Sequence, residues 1–96
     1  MLIPPKYRDK RTRKFVDGER VPVFEPFKDQ IIRRLTVLDT ATTLEQLRAL
    51  PSNRLEALHG DRKTQYSIRI NAQWRICFEW CAEESMAVNI EIVDYH

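Results

Sequence analysis

From Tyr66 to Trp80 apolar and polar residues alternate with a period of two: Tyr66, Ile68 and Ile70 precede Asn71-Ala72-Gln73, and Trp74, Ile76, Phe78 and Trp80 follow it. This is the pattern of paired strands with one buried face. If Asn71–Gln73 is the turn, its odd length lets both apolar stripes share a face. Ile70 then opposes Trp74, Ile68 opposes Ile76 and Tyr66 opposes Phe78. A third alternation, Val88, Ile90 and Ile92, follows the polar turn around Glu83-Glu84-Ser85. These segments are expected to form an antiparallel sheet.

The period changes upstream. Residues near 8–17 suit a short helix ending at Gly18, a residue able to take the left-handed backbone beyond a helix C-terminus. Pro22 and Pro26 bracket a connector. Phe27, Ile31, Leu35 and Leu38 then recur at spacings of three and four, with Arg33 and Arg34 off that stripe, which predicts an amphipathic helix over 26–39. Thr42-Thr43-Leu44-Glu45 matches a capping box in which the Thr42 hydroxyl and Glu45 carboxylate satisfy free amides at the start of another helix, ended by Pro51. Leu55 and Leu58 are expected to be buried in an extended or irregular segment. Helices followed by strands read as α+β, with N-terminal helices packed on one face of a C-terminal antiparallel β-sheet.

At 96 residues, 1–96 is expected to form a single domain. The apolar runs are too short to cross a bilayer, and the opening Met1-Leu2-Ile3-Pro4-Pro5-Lys6 lacks the plan of a signal peptide, so a cytoplasmic protein with no membrane contact is expected. Cys77 and Cys81 should then be reduced thiols, and their C-x3-C spacing has no companion pair for a zinc site. No metal or cofactor is expected. The charge of +2 is unevenly spread: residues 1–34 hold 10 Lys/Arg against 5 Asp/Glu, and residues 35–96 hold 6 against 9. The basic stretch from Lys6 to Lys14 is suited to attract a polyanion such as RNA, and equally suits a solvated helix face.

The hairpin register also sets Arg69 against Arg75 on the face away from the helices. Opposed like charges cost a few tenths of a kcal/mol unless something anionic sits between them. A phosphate suits that position, because guanidinium groups grip its oxygens and stabilise charge developing in phosphoryl transfer. A pair splayed toward Glu79, Glu91 or solvent is the alternative. Metal-free cleavage of RNA needs a group to deprotonate the ribose 2′-hydroxyl, a group to protonate the leaving 5′-oxygen, and cations for the pentavalent phosphate. The two histidines are the candidates for proton transfer: His59, in a polar loop with Arg62 and Lys63, and His96, beside Tyr95. The Tyr95 phenol can stack on a base or handle a proton.

Three strings, Asn53–Arg62, Tyr66–Trp80 and Ile90–His96, resemble HigB-like (GraT-like) toxins of the RelE/ParE superfamily, the plasmid maintenance system killer family. Leu38–Arg48 also resembles the family's helical region, so the likeness covers about residues 27–96. It implies a RelE-like fold and a type II toxin that enters the ribosomal A site of the 30S subunit and cleaves the mRNA under translation. A HigA-like helix-turn-helix antitoxin would neutralise it, and operator DNA would be met only through that antitoxin. By position, the resemblance implies that Asp94, Tyr95 and His96 form the catalytic ending, that Arg75 contacts phosphate and that Gln73 lies near the substrate base. With His59, these are the expected catalytic and substrate residues, joined in RNA binding by Arg69, Arg62 and Lys63. The chain departs from the family at His59, where lysine is usual, at Glu56, where some members have histidine, and at Thr64, where glycine is common. His59 can stand in for the lysine's charge or for the missing histidine. The rival expectation is a non-catalytic binder, resembling ParE-like relatives that poison DNA gyrase by contact or one that obstructs ribosome assembly.

Overall fold

A computed structural model describes residues 5–58, 60 and 65–94. Helix α1 (Lys10–Val16) is followed by a 3-10 turn (Pro22–Phe27), α2 (Lys28–Thr40), α3 (Leu44–Arg48) and a second 3-10 turn (Pro51–Asn53). Strands β1 (Glu56–Ala57), β2 (Gln65–Arg69), β3 (Trp74–Cys81) and β4 (Met86–Asp94) form one antiparallel sheet in the order β1-β2-β3-β4. The α+β arrangement with helices on one sheet face is therefore present, and it is consistent with a RelE-like fold. Among the described residues no helix is long and apolar enough to cross a membrane.

Local chemistry accounts for the element ends. Asp9 caps α1 by accepting from the Thr12 amide, and Gly18, at φ +90°, ends it. The Gly18 amide donates to the Phe15 carbonyl and the Glu19 amide to that of Lys14, the paired bonds of a Schellman motif. The connector bracketed by Pro22 and Pro26 is a 3-10 turn that runs through Phe27, so α2 begins at Lys28 rather than at residue 26. Before α3 the capping box is displaced by one residue from its expected place. Thr43, not Thr42, is the cap and accepts from the Gln46 amide; Gln46 reaches back to the Thr42 amide at 2.9 Å; and Glu45 instead pairs with Arg48.

The core lies between the helices and one sheet face. Phe24, Ile31, Leu38 and Leu47 from the helical half meet Ile68, Ile76, Phe78, Ile90 and Ile92 from the sheet, all at most 1% exposed. Phe24 sits edge-on to Phe15, Phe27 and Trp74, with centroids 5.6–6.0 Å apart, a geometry favoured by the ring quadrupoles. The predicted hairpin register holds: Tyr66 pairs with Phe78, Ile68 with Ile76 and Arg69 with Arg75.

The alternation in β4 is interrupted. Cys77 pairs with Glu91 but Glu79 pairs with Val88, so Asn89 and Ile90 together oppose Phe78 in a β-bulge. Asn89 has φ +51°, a conformation asparagine tolerates better than most residues; its side chain donates to Glu79 at 2.8 Å and its amide to the Pro5 carbonyl at 2.9 Å. The bulge corrects the expected Val88-Ile90-Ile92 stripe. Ala87 pairs with Trp80 and joins the core, whereas Val88, although buried, lies outside that cluster.

The outer edge of β4 is covered by the N-terminal segment, which removes an open template for further strand pairing. Tyr7 bridges to Ile90 in parallel, the Ile90 amide donates to Lys6 and the Arg8 amide to Ile90. Further along, the fully buried Thr12 hydroxyl accepts from the Ile92 amide at 3.1 Å, so β4 is held to within two residues of Asp94. Arg11 closes the same corner, its guanidinium 5.0 Å from the Phe24 ring centre and 5.7 Å from that of Trp74. Much of the basic N-terminal stretch is thus engaged internally, since Lys6 also pairs with Asp39 and Arg8 with Glu91.

Candidate active site

The hairpin tip is built by Asn71. Its side-chain oxygen accepts from the amides of Gln73 and Trp74, both at 2.9 Å, while the Ile70 and Asn71 amides donate to the Trp74 carbonyl. An asparagine side chain that mimics backbone in this way closes a short turn without a glycine. The tip brings Arg69 opposite Arg75, and the β3–β4 register brings Val93 beside Arg75 and Asp94 beside Trp74. Gln73 then donates to the Asp94 carboxylate at 3.0 Å. Four of the expected site residues, Arg69, Gln73, Arg75 and Asp94, therefore meet at one end of the sheet.

Arg75 is only 7% exposed although it lies on the face away from the helices. Its Nε donates to the Ser67 hydroxyl at 2.8 Å, and its Nη2 donates to the carbonyls of Ser67 and Arg54. Arg69 is half-buried and donates from Nε to the Asn71 carbonyl at 3.1 Å. Neutral oxygens thus take up part of both guanidinium groups. A buried charge with hydrogen-bond partners fixes geometry more than it adds stability. Here it fixes Arg54, a non-glycine residue at φ +46° immediately after the Pro51–Asn53 turn.

The sequence reading missed Arg54 and Arg34. Arg34 projects from α2, and its Nη1 donates to the Asn53 side chain at 2.8 Å; the fully buried Asn53 in turn donates to the Leu47 carbonyl at 3.0 Å. Arg34 was visible only as a residue off the apolar stripe, and nothing in the order of residues signals that Arg54 is held by Arg75.

Tyr95, His96, His59, Arg62 and Lys63 lie outside the described residues. Leu58 and Gln65 flank the segment that holds His59, Arg62 and Lys63. Leu58 donates to the Gln65 carbonyl, and Gln65 opposes Glu79, at the far end of β2 from Arg69. Four residue steps along a strand span about 13 Å. Gln65 thus lies about that distance, along the strand direction, from the end of the sheet that carries Arg69 and Asp94.

Residues 5–96 match a protein family described as the RelE-like toxin of the type II toxin-antitoxin system HigB. The chain is similar to Toxin HigB-1 of Vibrio cholerae, with 34% identity over 77 residues covering 78% of this chain and 81% of that protein. It is also similar to Endoribonuclease HigB of Proteus vulgaris, with 38% identity over 68 residues covering 71% of each chain. A match over nearly the whole length, on a fold whose strands carry the expected arginines and terminal aspartate to one end of the sheet, establishes the relationship. This chain belongs to the HigB-like family of RelE-like toxins of type II toxin-antitoxin systems, a class that implies an antitoxin partner.

Proposed function

We propose that the chain is a single-domain endoribonuclease toxin of the cytoplasm that cleaves mRNA in the ribosomal A site and is neutralised by a HigA-like antitoxin. The observation that carries the reading is the convergence of Arg69, Gln73, Arg75 and Asp94 at the end of the sheet where the chain's last residues begin. The name Endoribonuclease HigB borne by the Proteus vulgaris relative supports it.

In this mechanism one of the two histidines, His96 or His59, removes the proton from the ribose 2′-hydroxyl. The oxygen attacks the adjacent phosphorus, the bond to the 5′-oxygen breaks, and the other histidine protonates that oxygen. The products are a 2′,3′-cyclic phosphate and a 5′-hydroxyl. Arg69 and Arg75 supply positive potential for the pentavalent phosphate, which is most effective in a preorganised, partly dry site. Tyr95 stacks on a substrate base, Gln73 reads it, and Asp94 orients Gln73 and its chain neighbours. Arg62, Lys63 and the exposed Lys10, Arg13 and Lys14 of the basic N-terminal stretch contact ribosomal RNA.

The test is mRNA cleavage in a translating extract by the protein lacking only His96, with His59→Ala alongside. General acid–base groups contribute about 10²–10⁴-fold, so the rate should fall by at least about 100-fold on deletion of His96. Cleavage at the full-length rate by the truncated, folded protein would remove His96 from the mechanism.

A further inference from the structure

We propose that a groove between α2 and the tip of the β2–β3 hairpin binds the phosphodiester backbone of RNA through Arg33, Arg34, Arg54 and Arg69. The groove has a volume of about 470 Å³ where Arg34, Arg54 and Arg69 converge, and a second cavity of about 310 Å³, lined by Arg33 and sharing Gln30, Arg34 and Ile70, extends it along α2. No carboxylate lines either part among the described residues. The ion pairs found among the described residues all lie elsewhere and use Lys6, Arg8, Arg20 and Arg48. Four arginines gathered with no carboxylate among the described lining residues concentrate positive charge, and guanidinium groups match phosphate oxygens bidentately.

Two features fix the Arg34 side chain and the backbone from which Arg54 projects. Arg34 is anchored by the buried Asn53, which is itself tied to Leu47. The backbone of Arg54 is held in its left-handed conformation with its carbonyl bonded by the buried Arg75. The polar groups between them, Gln30 and Asn71, are in mutual contact at 3.4 Å and offer amides to ribose or base edges. Arg69 belongs to both the groove and the proposed active site, so an RNA strand leaving the catalytic end runs directly into the groove.

This inference rests on the endoribonuclease reading for the choice of RNA, and it assigns residues that the reading does not use. Arg33 and Arg54 are exposed, so neutralising them should leave the fold intact. Fluorescence anisotropy with a labelled single-stranded 2′-O-methyl RNA, which cannot undergo 2′-hydroxyl attack, measures binding across a range of salt concentrations. An Arg33→Gln/Arg54→Gln double variant should lower the salt slope by about 1.4, from about 0.7 per lost single-strand phosphate contact, which corresponds to roughly 25-fold weaker binding at 0.1 M salt relative to 1 M. An Arg20→Gln/Arg48→Gln variant, equal in net charge, should bind as the parent does. Loss of oligonucleotide binding assigns the groove to the cleaved strand. Retained oligonucleotide binding with loss of co-sedimentation with ribosomes assigns it to ribosomal RNA. Parent-like behaviour in both assays, or an equal loss in the control variant, overturns the proposal. If the groove variant loses binding while the parent protein cuts no mRNA, the endoribonuclease reading fails and this one stands.

Discussion

Ser67→Ala tests whether the buried arginine organises the catalytic end. Ser67 is completely buried and its hydroxyl accepts from Arg75 Nε at 2.8 Å. The substitution removes one oxygen, leaves the backbone ladder intact and deprives a charged, nearly buried donor of that partner. Hydrogen bonds to charged groups contribute about 1.5–3 kcal/mol, and the remaining bonds from Arg75 Nη2 to Ser67 and Arg54 place the loss toward the lower end, about 2 kcal/mol. For a chain of this size that lowers Tm by roughly 8–16 °C. Thermal unfolding followed by circular dichroism provides the measurement, with Ser52→Ala as the reference, since the exposed Ser52 hydroxyl meets Arg34 only at 3.4 Å and should matter by less than about 0.5 kcal/mol. If Ser67→Ala were as stable as Ser52→Ala, Arg75 would not be anchored as described and could not hold Arg54.

Two corrections to the sequence reading can be tested in the same way. At the β4 bulge, Asn89→Ala should cost more than Asn89→Gly: both lose the bond to Glu79, but only alanine must also bear the positive φ, a difference of roughly 1 kcal/mol readable by urea denaturation. At the start of α3, Thr43→Ala should cost about 1 kcal/mol and Thr42→Ala clearly less, because Thr43 is the cap. The opposite ranking would restore the capping box first expected at Thr42 and Glu45.

What was legible in the sequence depended on short-range geometry. The odd turn at Asn71–Gln73 with two apolar stripes leaves one pairing that buries both, and the observed register is that one. The reading lost phase in β4 because a bulge depends on what the extra residue bonds to, here Glu79 across the sheet and Pro5 from the far end of the chain. Thr42-Thr43-Leu44-Glu45-Gln46 contains two overlapping capping patterns, and position along the helix, not composition, decides between them. The convergence of Asp94 with Gln73 required both the β3–β4 register and the clamp of Thr12 on Ile92. Arg34, Arg54 and Arg75 come together across three elements, a relation no local pattern encodes. Arg75 also shows how a residue can be singled out correctly for one reason and be held for another: the register placed it opposite Arg69, yet its named partners are Ser67 and the Arg54 carbonyl.

If this toxin cuts mRNA as the ribosome reads it, transcript 5′ ends mapped in cells after its induction carry the signature of that cut. Ribosome-dependent cleavage predicts new 5′-hydroxyl ends within coding regions, phased by three nucleotides with the reading frame, and none from the protein lacking His96. Growth arrest with no such ends, or ends scattered without regard to frame, would contradict it.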